Sequence, residues 1–206
     1  MEDQKEFKYL ALGDSYTIGE SVDPAKTFPE LLANELRSQG VNVKRPQIVA
    51  TTGWTTMDLY EGILAAPAGE FEYDMVSLLI GVNDQYQGKP FDTYEENFGK
   101  LLETAIRLAG GEKDRVFIVS IPDYAYTPFG QKKDVSRITR EINAYNETNR
   151  RIAGENQVLY FDITEISRKG LSDPSLVATD ELHPSGKMYQ EWVDLMAETI
   201  CDRFKR

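Results

Sequence analysis

The chain has 206 residues, of which 41% are hydrophobic and 28% are charged, a composition typical of folded globular proteins. Its formal net charge of -11 disfavours nucleic acid and anionic lipid as partners, because both are bound by clusters of Lys and Arg. The length predicts a single domain over residues 1–206.

The N-terminal segment MEDQKEF is charged, and no stretch approaches the roughly 18 apolar residues of a membrane span. We therefore expect a soluble protein without membrane insertion. As written, the chain predicts a cytoplasmic protein, and a secreted or periplasmic one if a signal segment was trimmed from it. Cys201 is the only cysteine, so we expect a buried, inert thiol and no disulfide within the chain.

Five short apolar runs along the chain predict β-strands. In chain order they are FKYLALGD, PQIVATTG, YDMVSLLIGVND, RVFIVSIPD and QVLYFDI. Because most of them are continuous apolar runs rather than apolar-polar alternations, they predict a parallel sheet that is covered on both faces.

Helical periodicity separates these runs. Apolar stripes at about 3.6 residues per turn contain Phe28, Leu31, Leu32 and Leu36 in the first helix; Phe98, Leu101, Leu102 and Ala105 in the third; Val135, Ile138, Ile142, Tyr145 and Ile152 in the fourth; and Met188, Trp192, Leu195, Met196 and Ile200 in the last. Residues 27–30 and 93–96 fit capping boxes, and Asp134 opens the fourth helix. The alternation of strands and helices predicts an α/β protein with a three-layer α/β/α sandwich.

Polar residues follow the predicted strands at the edge where open parallel sheets bind ligands. They are Gly13, Asp14 and Ser15 after the first strand, Thr51, Thr52 and Gly53 after the second, and Gly81, Val82, Asn83 and Asp84 after the third. Gly, Asp, Ser and Asn, each taken alone, are ordinary turn residues. Two stretches, PDYAYTPFGQKKD and SRKGLSDPSLVATD, are predicted to be long loops, which are often functional.

The only histidine of the chain, His183, is a candidate base for Ser15. Asp180 lies three residues earlier, so a tight loop can bring its carboxylate to Nδ1 of the imidazole. Nε2 is then free to take the Ser15 proton, and the carboxylate stabilises the imidazolium that forms. Pro184 predicts that the first turn of the last helix begins beside this histidine.

Three donors are candidates for an oxyanion hole. They are the backbone amides of Ser15 and Gly53 and the side-chain amide of Asn83, all at neighbouring strand ends. Gly53 lacks a Cβ, which allows its backbone to approach a substrate closely. We interpret Asp14 as structural, orienting the turn through backbone hydrogen bonds.

The sequence resembles the SGNH hydrolases, also called GDSL-type lipases and esterases. Four short blocks match in order: GDSY at 13–16, Gly53 within TTGWTT, GVND at 81–84 and DELH at 180–183. The resemblance implies a flavodoxin-like sheet, Ser15 as nucleophile, His183 as base with Asp180 as its partner, and Gly53 and Asn83 as oxyanion donors. Tyr16 stands where the family pattern has Leu, and we expect this to change local packing more than activity.

These observations predict a metal-independent esterase that cleaves small-molecule esters through an acyl-serine intermediate. A metal or other cofactor is not expected, since one histidine and scattered carboxylates make a poor ligand set. The absence of an obvious amphipathic lid favours short acyl or acetyl esters. Five aromatic residues are candidates to line a substrate pocket or only to pack: Trp54, Tyr86, Tyr124, Tyr126 and Phe129.

Three alternatives remain open on the sequence alone. A carbohydrate acetylesterase or deacetylase would use the same residues on an acetylated sugar. A catalytically silent module could hold a sugar or a lipid, although binding gives no reason for a base and its orienting carboxylate. A flavin or nucleotide binder is disfavoured, because no G-x-G-x-x-G or P-loop follows the first strand.

Overall fold

A five-stranded parallel sheet organises the residues that the computed structural model describes, 5–66 and 72–205. The strands are β1 (Tyr9–Gly13), β2 (Gln47–Ala50), β3 (Met75–Leu79), β4 (Val116–Val119) and β5 (Leu159–Phe161). Their order in the sheet is β2-β1-β3-β4-β5, and every neighbouring pair is parallel. This is the flavodoxin-like order, so the predicted α/β fold and all five predicted strands are confirmed.

The central and edge strands differ in how much of each strand is buried, and this difference explains their different amino-acid composition. The three central strands β1, β3 and β4 are buried at every residue, and they are the continuous apolar runs YLALG, MVSLL and VFIV. The edge strands β2 and β5 are partly exposed. A strand that is covered on both faces needs apolar side chains at every position, whereas an edge strand does not.

Helices cover both faces of the sheet. Among the described residues they are α1 (Ser15–Ile18), α2 (Phe28–Ser38), α3 (Thr56–Ala65), α4 (Val82–Tyr86), α5 (Phe91–Leu108), α6 (Val135–Asn156), α7 (Thr164–Ser167) and α8 (Gly186–Phe204). Helix α2 packs against α8, and α5 packs against α3 and α6. Most residues of the predicted apolar stripes form these contacts: Phe28 and Trp192, for example, are fully buried with ring centroids 6.1 Å apart. Leu195 was wrongly assigned to the stripe of the last helix, since it is 48% exposed.

Both predicted capping boxes, at residues 27–30 and 93–96, are wrong, although α2 does begin directly after Thr27. Thr27 precedes α2 but makes no side-chain cap, because its hydroxyl donates to the carbonyl of Pro24 at 3.3 Å. Thr93 lies inside α5, which already begins at Phe91, directly after Pro90. The predicted cap at Asp134 is confirmed, since its carboxylate accepts the amide of Arg137 at 3.0 Å.

A further capping box, which the sequence analysis does not predict, occurs at the start of α3. The Thr55 amide donates to the Asp58 carboxylate at 2.8 Å, and the Asp58 amide donates to the Thr55 hydroxyl at 3.4 Å. An Asp replaces the usual Glu at the third helical position. The segment therefore does not match the Thr-x-x-Glu pattern.

The last helix begins later than predicted. Ser185 is the N-cap of α8 and accepts the Met188 amide at 3.4 Å, so Pro184 lies before the helix and not in its first turn. The two predicted long loops contain short 3-10 turns, among them Tyr124–Tyr126, Gly130–Lys132 and Pro174–Leu176. Cys201 is buried in α8. Within the described ranges, no helix has the length and apolar character needed to cross a membrane.

Candidate active site

The segment Gly13-Asp14-Ser15 turns the chain from β1 into the short helix α1. A Cβ on Gly13 would lie 2.1 Å from the Thr17 hydroxyl and 2.4 Å from the Leu79 carbonyl, so only glycine fits there. Asp14 is the N-cap of α1, and its carboxylate accepts the Tyr16 amide at 3.0 Å. Ser15 then occupies the first helical position at the carboxyl edge of the sheet.

The structure brings Ser15, His183 and Asp180 together. Oγ of Ser15 lies 2.9 Å from Nε2 of His183, and Nδ1 of His183 lies 2.6 Å from a carboxylate oxygen of Asp180. The other oxygen of Asp180 accepts the backbone amides of Leu182 and His183, each at 2.9 Å. The turn between them is tight, with Glu181 in the left-handed region at φ 66°.

Two opposing effects act on the pKa of Asp180. Partial burial raises it, but the hydrogen bonds from the His183 ring, from the two backbone amides and from Ser21 together lower it to about 2. The carboxylate is therefore ionised at neutral pH. An ionised Asp180 accepts the Nδ1 proton, which leaves Nε2 as the acceptor that faces Ser15.

The segment that follows β2, residues 51–56, is held by three side chains from α4 and the residue directly after it. The Asn83 amide donates to the Trp54 carbonyl at 3.0 Å, and the Gln87 amide donates to the Gly53 carbonyl at 3.1 Å. The Asp84 carboxylate accepts both the amide and the hydroxyl of Thr56, at 2.9 and 2.7 Å. Gln87 was not expected at the site from the sequence, whereas Asp84 was expected at this strand end, within the GVND block, but without a role.

Gly53 adopts a positive φ of 84°, and a Cβ there would meet no atom within 4 Å. The reason for glycine is therefore its backbone conformation and not a lack of space. One hydrogen of the Asn83 amide is used on Trp54, which leaves the second for another acceptor. Ser15, Gly53 and Asn83 line a single cavity of about 170 Å³.

Three of the five predicted pocket aromatics lie at this cavity. They are Tyr86, Tyr124 and Phe129. The full wall of the cavity is formed by Ser15, Tyr16, Thr52, Gly53, Val82, Asn83, Tyr86, Tyr124, Phe129, Leu182 and His183. The pocket assignment of Trp54 and Tyr126 needs correction, since neither lines the cavity. Trp54 packs over Gly62 of α3, where a Cβ would lie 2.3 Å from its ring, and Tyr126 packs under the Arg168 guanidinium at 5.7 Å.

Tyr16, the departure from the family pattern, packs beside the base. Its ring centroid lies 5.2 Å from that of His183, and its carbonyl accepts the Tyr189 hydroxyl at 3.0 Å. The side chain is buried. The larger ring therefore forms one wall of the space around the imidazole and leaves the contact between Ser15 and His183 intact.

Asp14 differs from Asp180 in its electrostatic environment. It is fully buried, and among the described residues one of its carboxylate oxygens has no hydrogen-bond partner. Burial raises the pKa of Asp14 to about 8; the hydrogen bond from the Tyr16 amide opposes this and the nearby Asp84 charge adds to it. Asp14 is accordingly protonated at neutral pH, directly before the serine.

The protonated Asp14 predicts a pH dependence of stability. Between the ordinary value of 3.8 and about 8, the folded state keeps a proton that the unfolded state has released, so stability falls as pH rises through this window. We expect the free energy of unfolding of Asp14→Asn, minus that of the wild type, to increase by up to about 1.4 kcal/mol per pH unit from pH 5 to 8. Urea denaturation measures it.

Asp134→Asn is a matched control for this experiment, because Asp134 caps a helix through the same kind of bond but is exposed. It measures how the loss of an exposed capping carboxylate affects stability over the same pH range, and the increase for Asp14→Asn should be clearly the larger. A pH-independent difference for Asp14→Asn would show that Asp14 is ionised in the folded protein.

Comparison with known families gives a match over most of the chain. The model of the GDSL-like lipase/acylhydrolase family matches residues 11–191, a range that contains Ser15, Gly53, Asn83, Asp180 and His183. No curated protein sequence gives a significant match.

Solved structures with the same fold include several esterases. A psychrotrophic esterase from Pseudoalteromonas sp. superimposes with a TM-score of 0.70 at 16% identity, covering 97% of this chain and 99% of that one. A lipase/acylhydrolase from Enterococcus faecalis has a TM-score of 0.70 at 21% identity, with 96% of each chain covered. An acetyl xylan esterase from Geobacillus stearothermophilus has a TM-score of 0.70 at 21% identity, with 94% of each chain covered. At these identities, the likeness establishes a shared fold.

Proposed function

The chain belongs to the GDSL-like lipase/acylhydrolase family and is a carboxylic ester hydrolase, and from this premise we propose that it cleaves short-chain esters through an acyl-enzyme on Ser15. The observation that supports this mechanism most directly is the pair of contacts at 2.9 and 2.6 Å that join Ser15 to His183 and His183 to Asp180. They fit a serine nucleophile, a general base and the carboxylate that orients the base.

In the first half of the proposed reaction, Oγ of Ser15 attacks the ester carbonyl carbon while its proton moves to Nε2 of His183. The carbonyl oxygen becomes an oxyanion and accepts hydrogen bonds from the amides of Ser15 and Gly53 and from the side chain of Asn83. When the intermediate collapses, the bond to the leaving alcohol breaks, and the imidazolium returns its proton to that alcohol.

In the second half, water takes the place of the alcohol. His183 accepts a proton from this water as its oxygen attacks the acyl carbon. The second tetrahedral intermediate uses the same donors, and its collapse breaks the bond to Oγ of Ser15, which regains the proton. The products are a carboxylic acid and the free enzyme, and no step needs a cofactor.

The size of the cavity supports the preference for short acyl groups. Its volume of about 170 Å³ and its lining by Val82, Leu182 and aromatic rings suit a small apolar group. A longer chain would extend beyond this apolar cavity towards the polar side chains of Gln85, Gln87 and Lys133, and would gain little from burial of its further methylenes.

We expect kcat/KM for p-nitrophenyl esters to reach its highest value by butyrate and not to rise further up to decanoate, because the gain from burying each added methylene ends where the cavity ends. Rates below the aggregation limit of each ester measure this. A kcat/KM that rises steadily beyond eight carbons would contradict the proposal.

Acetylated xylan distinguishes the carbohydrate alternative in the same set of assays. Faster release of acetate from this polymer than from aryl acetates would shift the proposal to a carbohydrate deacetylase. Release of acetate only from the aryl esters supports the short-chain esterase.

A further inference from the structure

A second cavity, of about 520 Å³, adjoins the catalytic cavity. Tyr86 and Tyr124 line both of them, and their ring centroids lie 6.1 Å apart. The first cavity has mostly apolar walls, whereas the second also contains Gln85, Gln87 and Lys133. Together they form a groove that runs from Ser15 past the two tyrosines to the start of α6.

Lys133 places a positive charge where the two cavities meet. Its ammonium lies 5.0 Å from the ring centroid of Tyr86 and 4.8 Å from that of Phe129. Both rings line the catalytic cavity. At these distances the π-faces attract the cation and hold it above the cavity mouth without neutralising it.

The neighbouring charges are compensated differently. Arg137, which also lines the second cavity, pairs with Glu141 at 2.7 Å, and Lys132 pairs with Glu181 at 2.7 Å. Asp134 also lines the second cavity; its carboxylate accepts the Arg137 backbone amide at the start of α6, and it has no ion pair among the described residues. Within residues 5–66 and 72–205, no carboxylate lies within ion-pair distance of the Lys133 ammonium, so its charge can act on a ligand.

The position of His183 indicates which part of an ester would reach Lys133. In the mechanism proposed above, the imidazolium returns its proton to the leaving alcohol, so the alcohol portion must lie beside His183. The amide of Phe129 donates to the carbonyl of Glu181 at 3.0 Å, which places Phe129 next to the loop that carries His183. The alcohol portion therefore leads past Phe129 towards Lys133.

From this geometry, and resting on the proposed ester hydrolysis, we propose that the preferred substrates carry a negatively charged group on their alcohol portion, which pairs with the Lys133 ammonium. Lys133 is thus a specificity-determining residue for an anionic alcohol. The net charge of -11 repels anions from the protein as a whole. A local cation in the groove would offset this repulsion at the binding site.

The test compares 4-acetoxybenzoate, whose leaving group is anionic, with its neutral methyl ester, methyl 4-acetoxybenzoate. The readout is the ratio of their kcat/KM values in the wild type and in variants, because any difference in leaving-group reactivity cancels between proteins. We expect Lys133→Gln to lower the ratio about three- to tenfold, mainly through KM of the anionic ester. Lys133→Arg should keep the wild-type ratio, since it keeps the cation.

Lys100→Gln is the matched charge control. Lys100 is exposed on α5 and pairs with Glu96 four residues earlier, so its removal changes the net charge equally and should leave the ratio unchanged. Added salt should lower the ratio in the wild type and not in Lys133→Gln, because an exposed ion pair is screened. An equal ratio in the wild type and in Lys133→Gln would overturn the inference.

A binding measurement separates this inference from the proposed function. Calorimetry with 4-hydroxybenzoate, the anionic product, should give about three- to tenfold tighter binding to Ser15→Ala than to Ser15→Ala/Lys133→Gln. If neither ester is hydrolysed but this difference is found, the proposed function fails and the anion site stands. Equal binding by the two variants, together with normal hydrolysis of the neutral ester, would overturn the anion site alone.

Discussion

Ser15→Ala is expected to lower kcat for ester hydrolysis by roughly 10³- to 10⁶-fold, because it removes the oxygen that forms the acyl-enzyme. The hydroxyl contacts His183 at 2.9 Å, and alanine keeps the backbone of α1 in place. The melting temperature should therefore change little. Steady-state kinetics with a short aryl ester, alongside thermal unfolding, measures both effects.

Ser172→Ala controls for the loss of a serine hydroxyl elsewhere. Ser172 is exposed, and its hydroxyl donates to the Lys169 carbonyl in a surface turn. Its kcat should stay close to that of the wild type. Retention of more than about a tenth of the activity by well-folded Ser15→Ala would exclude Ser15 as the nucleophile.

Asp180→Asn is expected to lower kcat by about 10⁴-fold, the cost of holding the imidazole in the wrong tautomer. An Asn amide facing Nδ1 would donate to it, which places the remaining proton on Nε2 and removes the acceptor for the Ser15 proton. Two backbone amides hold the side chain in position, and an Asn oxygen can still accept them. The effect should thus fall on activity much more than on stability.

The adjacent acidic residue provides a close control. Glu181→Gln removes the same charge from the same turn, but Glu181 points to Lys132, with which it pairs at 2.7 Å. We expect its kcat to change by less than about threefold. Similar kcat values for Asp180→Asn and Glu181→Gln would contradict the role of Asp180. The double variant Ser15→Ala/Asp180→Asn should be no worse than Ser15→Ala, since the residues act as a unit.

The sheet could be predicted because its central strands are buried on both faces. YLALG, MVSLL and VFIV allow little other interpretation, and the polar residues after them identify the edge that carries the candidate site. The first residues of the helices were harder to predict, since several residue types can accept the free backbone amides at a helix N-terminus. At α3 the capping box uses Asp58 in place of Glu, and α5 begins after Pro90 with no side-chain cap, so the Thr-x-x-Glu pattern identifies neither start.

The residues of the candidate triad could be selected from the sequence because one histidine left a single choice of base. The hydrogen bonds that hold the neighbouring segments in place could not be predicted, since their partners lie far apart in the chain. Asp84 and Thr56, for example, are separated by 28 residues. The same limit applies to the aromatic residues. The sequence alone does not show that Phe129 faces the cavity and that Trp54 packs on Gly62. The position of the Lys133 ammonium over the rings of Tyr86 and Phe129 is likewise visible only in the structure.

The most direct test of the account is the intact mass of the protein after reaction with a fluorophosphonate, which labels activated serines without any assumption about the substrate. The phosphorus bonds to the serine oxygen and fluoride leaves, so one adduct adds one fixed mass. We predict a single adduct on the wild type and none on Ser15→Ala. An adduct that persists on Ser15→Ala, or a folded wild type that takes none, would contradict the assignment of Ser15 as an activated nucleophile.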